Sequence, residues 1–140
     1  MTIDPNDLLP PDWQCYGYSL EKSIHPAMLG IYSKLKDIYP DIYVNSRDGK
    51  RLHNWCGLRS PTCAIGAPKS MHKLGMALDL HLPQLKINLL YAFCTSTKAL
   101  AMGIRRVENI NYTSTWVHID IGEPNLARWI DVTKPYIFNP

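Results

Sequence analysis

Two short segments in which apolar and polar side chains alternate place the strongest constraint on the fold of this chain. Residues 76–82 and 115–121 carry apolar side chains at every second position. Alternation with a period of two is typical of a strand with one buried and one polar face. The polar faces carry Ala77, Asp79 and His81 in the first segment and Trp116, His118 and Asp120 in the second. The patterns therefore predict two strands whose polar faces line the same cleft.

Helical and further strand patterns surround these two segments. Residues 26–39 carry apolar side chains mostly three or four positions apart, which predicts an amphipathic helix that stops at Pro40. Residues 83–103 are predicted to form a mostly buried helix that ends at Gly103. The remaining predicted elements are strands at 41–46, 52–58 and 104–107 and a tight turn at Asp48-Gly49.

The first 24 residues are predicted to form an extended strap instead of a regular helix. Pro10 and Pro11 are adjacent, and proline removes a backbone donor and clashes with the preceding helical turn. Trp13 follows directly and is expected to anchor the strap.

The order of the elements predicts an α+β fold. We expect a small antiparallel sheet with helices packed on its core face and with the opposite face open as a groove. A chain of 140 residues is long enough for one hydrophobic core and short for two, so residues 1–140 are interpreted as a single domain. Its composition, 46% hydrophobic and 19% charged, excludes a disordered chain.

Charge and hydropathy argue against two classes of partner. The formal charge of +3 is scattered along the chain, unlike the clustered basic stripe of a nucleic-acid-binding protein. The longest apolar stretch, residues 89–94, is too short to cross a bilayer. The first residues carry acids and a proline where a secretory signal has a basic start and an apolar run. We therefore expect a protein made in the cytoplasm that has no membrane segment and does not bind nucleic acid.

Four cysteines, Cys15, Cys56, Cys63 and Cys94, lack the C-x-x-C spacing of a zinc ribbon. In a reducing compartment we expect free thiols, with a short-loop bridge between Cys56 and Cys63 as the alternative.

Three side chains near the predicted cleft have the chemistry of a metal centre. His72 precedes the first alternating strand, Asp79 lies on its polar face and His118 lies on the polar face of the second. Catalytic zinc is typically held by three protein ligands drawn from histidine, carboxylate and cysteine. Strand pairing could bring these three together.

Three motifs give the chain a family resemblance. In order along the chain they read C-G-L-R-S-P at 56–61, S-M-H-K-L-G-M-A-L-D at 70–79 and W-V-H-I-D-I-G at 116–122. They resemble the D-Ala-D-Ala carboxypeptidase family of zinc peptidases, whose pattern is S-G-x-R-S-P, S-x-H-x-x-G-x-A-x-D and a strand with x-V-H-x-D. Cys56 replaces the usual serine, and every other motif position is present.

That family includes VanX-like dipeptidases, phage L-alanyl-D-glutamate endolysins and murein endopeptidases, and its fold is shared with the amino-terminal domain of Hedgehog. Gly122 and the later Arg128-Trp129 resemble the murein-endopeptidase branch.

The resemblance implies one zinc ion held by His72, Asp79 and His118, and hydrolysis of a peptide bond in peptidoglycan stem peptides or cross-links. Zinc would polarise the scissile carbonyl and lower the pKa of its water toward about 7. Arg59 matches the family's arginine, whose planar donors suit a substrate carboxylate or an oxyanion, with an ordinary ion pair that holds the loop as the alternative. Ser70, like Arg59, is predicted to contact the substrate. Its hydroxyl is also expected to fix the loop before His72.

The general base is the position at which the chain departs from the resemblance. Many members carry an acid three residues before the last histidine, where this chain has Thr115, which cannot take the proton. Asp120, on the same strand face as His118, is predicted to be a substitute base or a partner that orients a ligand. Glu108 is the other acidic candidate, and attack by a metal-bound hydroxide without a dedicated base is a further alternative. His81, on the same face as Asp79, could help the transition state or substitute as a ligand, although a surface position or a supporting role is expected.

Two functions follow from these expectations. The first is a zinc peptidase of cell-wall peptidoglycan, of endolysin, murein endopeptidase or D,D-carboxypeptidase type; if phage-derived, it would reach the wall through a holin or on a virion. The second is a non-catalytic, metal-stabilised binding or structural domain that lost its base at Thr115.

Overall fold

The structure, a computed structural model, describes residues 2–46, 53–67, 69–123 and 133–140. The helices are α1 (Pro5–Leu8), α2 (Leu20–Ser23), α3 (Pro26–Ile38), α4 (Ile87–Cys94) and α5 (Thr97–Met102). The strands are β1 (Ala77–Leu80), β2 (Arg106–Glu108), β3 (Val117–Asp120) and β4 (Tyr136–Phe138). Two short 3-10 helices cover Met71–Leu74 and Gln84–Lys86.

The four strands form one mixed sheet in the order β1-β3-β2-β4. β3 pairs antiparallel with both β1 and β2, whereas β2 and β4 are parallel. The α+β class is therefore confirmed, but the prediction of an antiparallel sheet is wrong. The difference comes from β4, which the sequence patterns did not predict and which adds a parallel edge.

The register of the sheet places the candidate ligands beside each other. Asp79 on β1 lies directly opposite His118 on β3, and Ala77 lies opposite Asp120. On the other side of β3, Arg106 also lies opposite Asp120. Residues that face each other across a strand pair project from the same face of the sheet, so these side chains share one surface.

The opposite face of the sheet contributes to a hydrophobic core. Alternate residues of the two alternating strands, Leu78, Leu80, Val117 and Ile119, are fully buried in a single cluster. α3 forms as predicted, and its inward side supplies Met28, Ile31, Tyr32 and Leu35 to that cluster. Among the described residues, no helix is long and apolar enough to cross a membrane.

The predicted helix over residues 83–103 is instead a 3-10 turn followed by two helices. α4 ends at Cys94, and Ser96, in extended conformation, caps α5 by accepting a hydrogen bond from the Ala99 N–H. A serine at this position satisfies an unpaired amide and so starts a new helix. Gly103 ends α5, as predicted, and adopts the left-handed conformation. The expected burial is wrong at Leu85 and Leu89, which are 96% and 64% exposed.

The strands predicted at 41–46 and 52–58 do not form within the described residues. Only two isolated bridges occur there, Tyr43 with His81 and Ser46 with His53. Side chains take the place of ladder partners: Asp7 accepts from the Val44 N–H, and Asn45 accepts from the Cys56 N–H. These long-range bonds satisfy backbone amides that a strand ladder would otherwise pair. The turn at Asp48-Gly49 lies outside the described residues, and the strand predicted at 104–107 is displaced to β2.

The predicted amino-terminal strap is also not extended. Asp4 caps α1 by accepting from the Asn6 N–H, and Pro5 occupies the first helical position, where a missing N–H costs nothing. Turns occupy residues 11–17 before α2 begins. Leu8 and Leu9 are the fully buried anchors, while Trp13 is only partly buried.

Candidate metal centre

A short 3-10 helix presents His72. Ser70 caps it, its hydroxyl accepting from the His72 N–H at 3.3 Å. Gly75 ends it with φ of +65°, a conformation that favours glycine. His72, on this helix, is 2% exposed. The local sequence thus fixes the imidazole against the sheet before any ligand is considered.

Three ligand atoms from separate elements converge on one point. His72 Nε2 lies 3.2 Å from Asp79 Oδ1, and His118 Nδ1 lies 2.8 Å from the same oxygen. The two imidazole nitrogens are 3.3 Å apart. Ligands held about 2.0–2.1 Å from a tetrahedral zinc ion are separated by about 3.3 Å. The observed separations therefore fit the three side chains around one metal ion.

Hydrogen bonds on the outer nitrogens orient both imidazoles. His72 Nδ1 donates to the Gly57 carbonyl at 2.9 Å, and His118 Nε2 donates to Asp120 Oδ2 at 3.3 Å. A donor role for one ring nitrogen leaves the other as the ligand. His72 is therefore set to bind through Nε2 and His118 through Nδ1.

Asp120 is enclosed by polar partners. It is 1% exposed, and Arg106 binds it with two hydrogen bonds, from Nε to Oδ1 at 2.7 Å and from Nη2 to Oδ2 at 2.9 Å. The Gly122 N–H donates to Oδ1 as well. Together with His118, these contacts engage both carboxylate oxygens.

Arg59 contacts the same cluster from the other side. Its Nη2 donates to Asp79 Oδ2 at 3.1 Å, while its Nε donates to the Trp55 carbonyl at 2.7 Å. Asp79 therefore directs one oxygen to the histidines and the other to the guanidinium. This contact orients the ligand carboxylate.

The buried charges shift the pKa of the cluster's members. Burial alone would raise the pKa of Asp79, but the charges of His72 and His118 and hydrogen bonds from both hold it well below its usual range. Burial would lower the pKa of His118, whereas hydrogen bonds to Asp120 and Asp79 raise it to about 9. The pKa of Asp120 is likewise lowered, against its burial, by His118 and Arg106. In the metal-free state the cluster thus retains a positive charge on His118, where a metal cation would supply one instead.

The cluster lies in a cleft of about 570 Å³. Side chains that line this cleft beside the three ligands include Arg59, Lys69, Ser70, Arg106, Glu108, Trp116, Asp120 and Phe138. Glu108 is half-buried, and burial raises its pKa from the usual 4.5. Thr115 is exposed in the turn before β3 and is not among the lining residues.

Sequence reasoning missed Arg106, Lys69 and the Gly57 carbonyl. The alternation in β3 does place Asp120 beside His118, but Arg106 joins them only through a strand register that single-strand patterns do not specify. The Gly57 contact depends on a backbone atom, which carries no residue-type signal.

Two further predictions from the sequence concern His81 and the cysteines. His81 is 5% exposed, which contradicts the surface position but not the supporting role, and its Nε2 lies 3.2 Å from Cys56 Sγ. Cys56 and Cys63 are not bridged to each other, and all four cysteines have free thiols. Arg128 and Trp129 lie outside the described residues.

Comparisons of the chain with protein-family models, with curated proteins and with solved structures returned no match.

Proposed function

We propose that this chain is a zinc-dependent peptidase that hydrolyses a peptide bond in peptidoglycan stem peptides or cross-links. The observation that carries the proposal is the convergence of His72, Asp79 and His118 in a cleft that also presents Arg59 and Glu108. Three histidine and carboxylate ligands are the set typical of catalytic zinc, whereas structural sites usually have four. The motif resemblance gives the reaction class.

The chain's own residues have distinct proposed roles. His72, Asp79 and His118 would hold the ion, which when bound supplies Lewis acidity and an activated water at neutral pH. Asp120 holds the His118 ring through its hydrogen bond, and Arg106 in turn fixes Asp120. Such outer contacts raise the basicity of a ligand histidine.

Glu108 is the proposed general base. It lines the cleft, and the charges of His118, Asp79 and His72 all act on it. Burial raises its pKa above the ordinary value of 4.5, the direction that suits proton transfer near pH 7. Asp120 is less suited, because Arg106, Gly122 and His118 already engage its oxygens.

One cation of the cleft supports an acidic peptide as substrate. Lys69 lines the cleft, whereas Arg59 and Arg106 are engaged by Asp79 and Asp120. Stem peptides carry free carboxylates, which guanidinium and ammonium groups bind by charge-assisted hydrogen bonds. Access to the wall through a holin or on a virion, for a phage-derived enzyme, is part of this proposal.

Metal content and turnover of purified peptidoglycan test the proposal together. We expect about one zinc ion in the cluster of the wild-type chain, release of new amino termini from peptidoglycan, and loss of this activity on chelation with recovery on adding zinc. His118→Asn should lose the cluster's zinc and the activity. His25→Asn is the matched control, because His25 is exposed and caps α3 with its side chain, a role asparagine can perform.

The non-catalytic alternative has one observation in its favour. Thr115 is exposed in a turn and offers no carboxylate, and Asp120 is fully engaged. Stoichiometric zinc without hydrolysis of several peptidoglycan chemotypes would contradict the peptidase and favour a metal-stabilised binding domain.

A further inference from the structure

A second group of potential metal ligands lies at the end of β1. His53, Cys56 and His81 each offer one ligand atom, and these three atoms lie within 4.8 Å of one another. His81 Nε2 is 3.2 Å from Cys56 Sγ, and the His53 and His81 rings stack with centroids 4.2 Å apart. The cluster shares no residue with His72, Asp79 and His118.

The composition of this group selects a class of metal. One thiolate with two imidazoles is a set that binds zinc and other borderline or soft transition metals, and it disfavours magnesium and calcium, which prefer oxygen. His81 is buried, whereas His53 and Cys56 are half-buried. The buried His81 imidazole would be held in position as a ligand, and the half-buried His53 and Cys56 would give an ion access to the site.

Within the described residues, the surrounding segment joins the sheet through isolated bridges and single hydrogen bonds instead of a strand ladder. Residues 41–46 and 53–58 are joined to their neighbours by isolated bridges, of which one pairs Tyr43 with His81 and the other pairs Ser46 with His53. Both bridges include a histidine of the cluster. An ion bound there would cross-link the two bridges where a strand ladder is lacking.

We propose that His53, Cys56 and His81 form a second metal site, which binds a borderline cation of the zinc class and fastens residues 53–59 to the end of β1. On binding, the Cys56 thiol gives its proton to solvent as the sulfur–metal bond forms. The site is independent of the peptidase proposal, because it requires neither the first cluster nor hydrolysis.

The position of this site links it to the first cluster through one short segment. The Cys56 carbonyl accepts from the Asp79 N–H at 2.8 Å. The next residue, Gly57, accepts from His72, and Arg59 binds Asp79. An ion at Cys56 would therefore hold in place the segment that orients two ligands of the first cluster.

Cobalt(II) titration of the metal-free chain, with a phosphine reductant, tests the second site. Thiolate bound to cobalt gives a charge-transfer absorption in the near ultraviolet, which a site of imidazole and carboxylate cannot give. We expect this absorption in the wild-type chain and its loss in Cys56→Ser, together with the loss of one bound cobalt equivalent. Cys15→Ser is the matched control, since Cys15 is an exposed thiol outside the cluster, and it should keep the absorption.

Two more variants make the outcome decisive. Asp79→Asn impairs the first cluster and should keep the thiolate absorption, so failure of the first site is distinguished from failure of the second. His53→Gln leaves the buried His81 in place. It should lower the affinity for cobalt, measured by titration of the thiolate absorption, by about tenfold or more. Absence of the thiolate band in the folded wild-type chain would overturn the proposal, as would a band that survives Cys56→Ser.

Discussion

Asp120 shows how the surroundings of one carboxylate decide between two chemical roles. Its sequence position beside His118 suits either a base or a partner that orients the imidazole. In the structure, Arg106 and the Gly122 N–H engage its oxygens, and its pKa is lowered. A carboxylate stabilised in its charged form is a weak proton acceptor. We therefore assign it to positioning His118.

Asp120→Asn should weaken zinc binding by about 10–100-fold, the usual effect of losing a carboxylate behind a ligand histidine. Competition with a chromophoric chelator measures this affinity. Asp37→Asn, an exposed substitution on α3, provides the control and should leave the affinity unchanged. If Asp120→Asn keeps full zinc affinity and loses turnover, Asp120 is the base instead.

Glu108→Gln should lower kcat by about 10²–10⁴-fold, the contribution of a positioned general base. Zinc affinity should stay near the wild-type value, because Glu108 is not among the converging ligands. The control is Glu123→Gln, which changes an exposed acid that does not line the cleft. Peptidoglycan turnover with full zinc loading distinguishes the two variants, and undiminished kcat in Glu108→Gln would exclude this base.

At the scale of elements, Gly75 has a conformational task. It ends the helix that carries His72 with φ of +65°, and an added Cβ would collide with the backbone carbonyl of Ser23. Gly75→Ala should therefore lower the free energy of unfolding by about 1–3 kcal/mol. Urea denaturation of the metal-free chain measures this change.

Gly30→Ala is the matched control for that experiment. Gly30 lies on the exposed side of α3, and nothing lies within 4 Å of its would-be Cβ. Alanine there should raise the free energy of unfolding by about 0.5–1 kcal/mol, because glycine is a poor helix former. Equal stabilities for the two variants would contradict the strain assigned to Gly75.

The elements with strong periodicity are those that sequence predicts. α3, β1 and β3 form where their patterns place them, since each buries one regular apolar face. Periodicity also placed Asp79 and His118 on polar faces, although only pairing makes them neighbours. The strands predicted at 41–46 and 52–58 do not form because Asp7 and Asn45 make long-range hydrogen bonds there, which local propensities cannot predict. Similarly, β4 has three residues, too few to show a pattern.

At the scale of the whole molecule, the cluster makes stability depend on pH. Asp79 and Asp120 have lowered pKa values, so their stabilisation is present above the unfolded value of 3.8 and is lost as pH falls. His118 has a raised pKa, so its stabilisation is complete below 6.5 and is lost as pH rises toward about 9. Asp7, whose pKa is raised by burial, acts in the opposite sense on the acid side.

The metal-free chain should therefore have its highest Tm between pH 3.8 and pH 6.5, the ordinary pKa values of the aspartate and histidine side chains. Its Tm should decline as the pH rises toward about 9. Saturating zinc should remove the alkaline decline, because the ion replaces the proton on His118 and stabilises the folded state. Thermal unfolding followed by circular dichroism, with chelator or with zinc, measures both profiles. An alkaline decline that persists in His118→Asn would show that another group causes it.

The two faces of β3 have different surroundings, so substitutions on one face should affect the protein differently from substitutions on the other. Val117 and Ile119 face the core, whereas His118 and Asp120 face the cleft. A saturation library across these four positions should yield alternating phenotypes. Polar replacements at Val117 and Ile119 would lower the amount of protein in cells through degradation, while conservative replacements at His118 and Asp120 would lower its zinc content more than its amount.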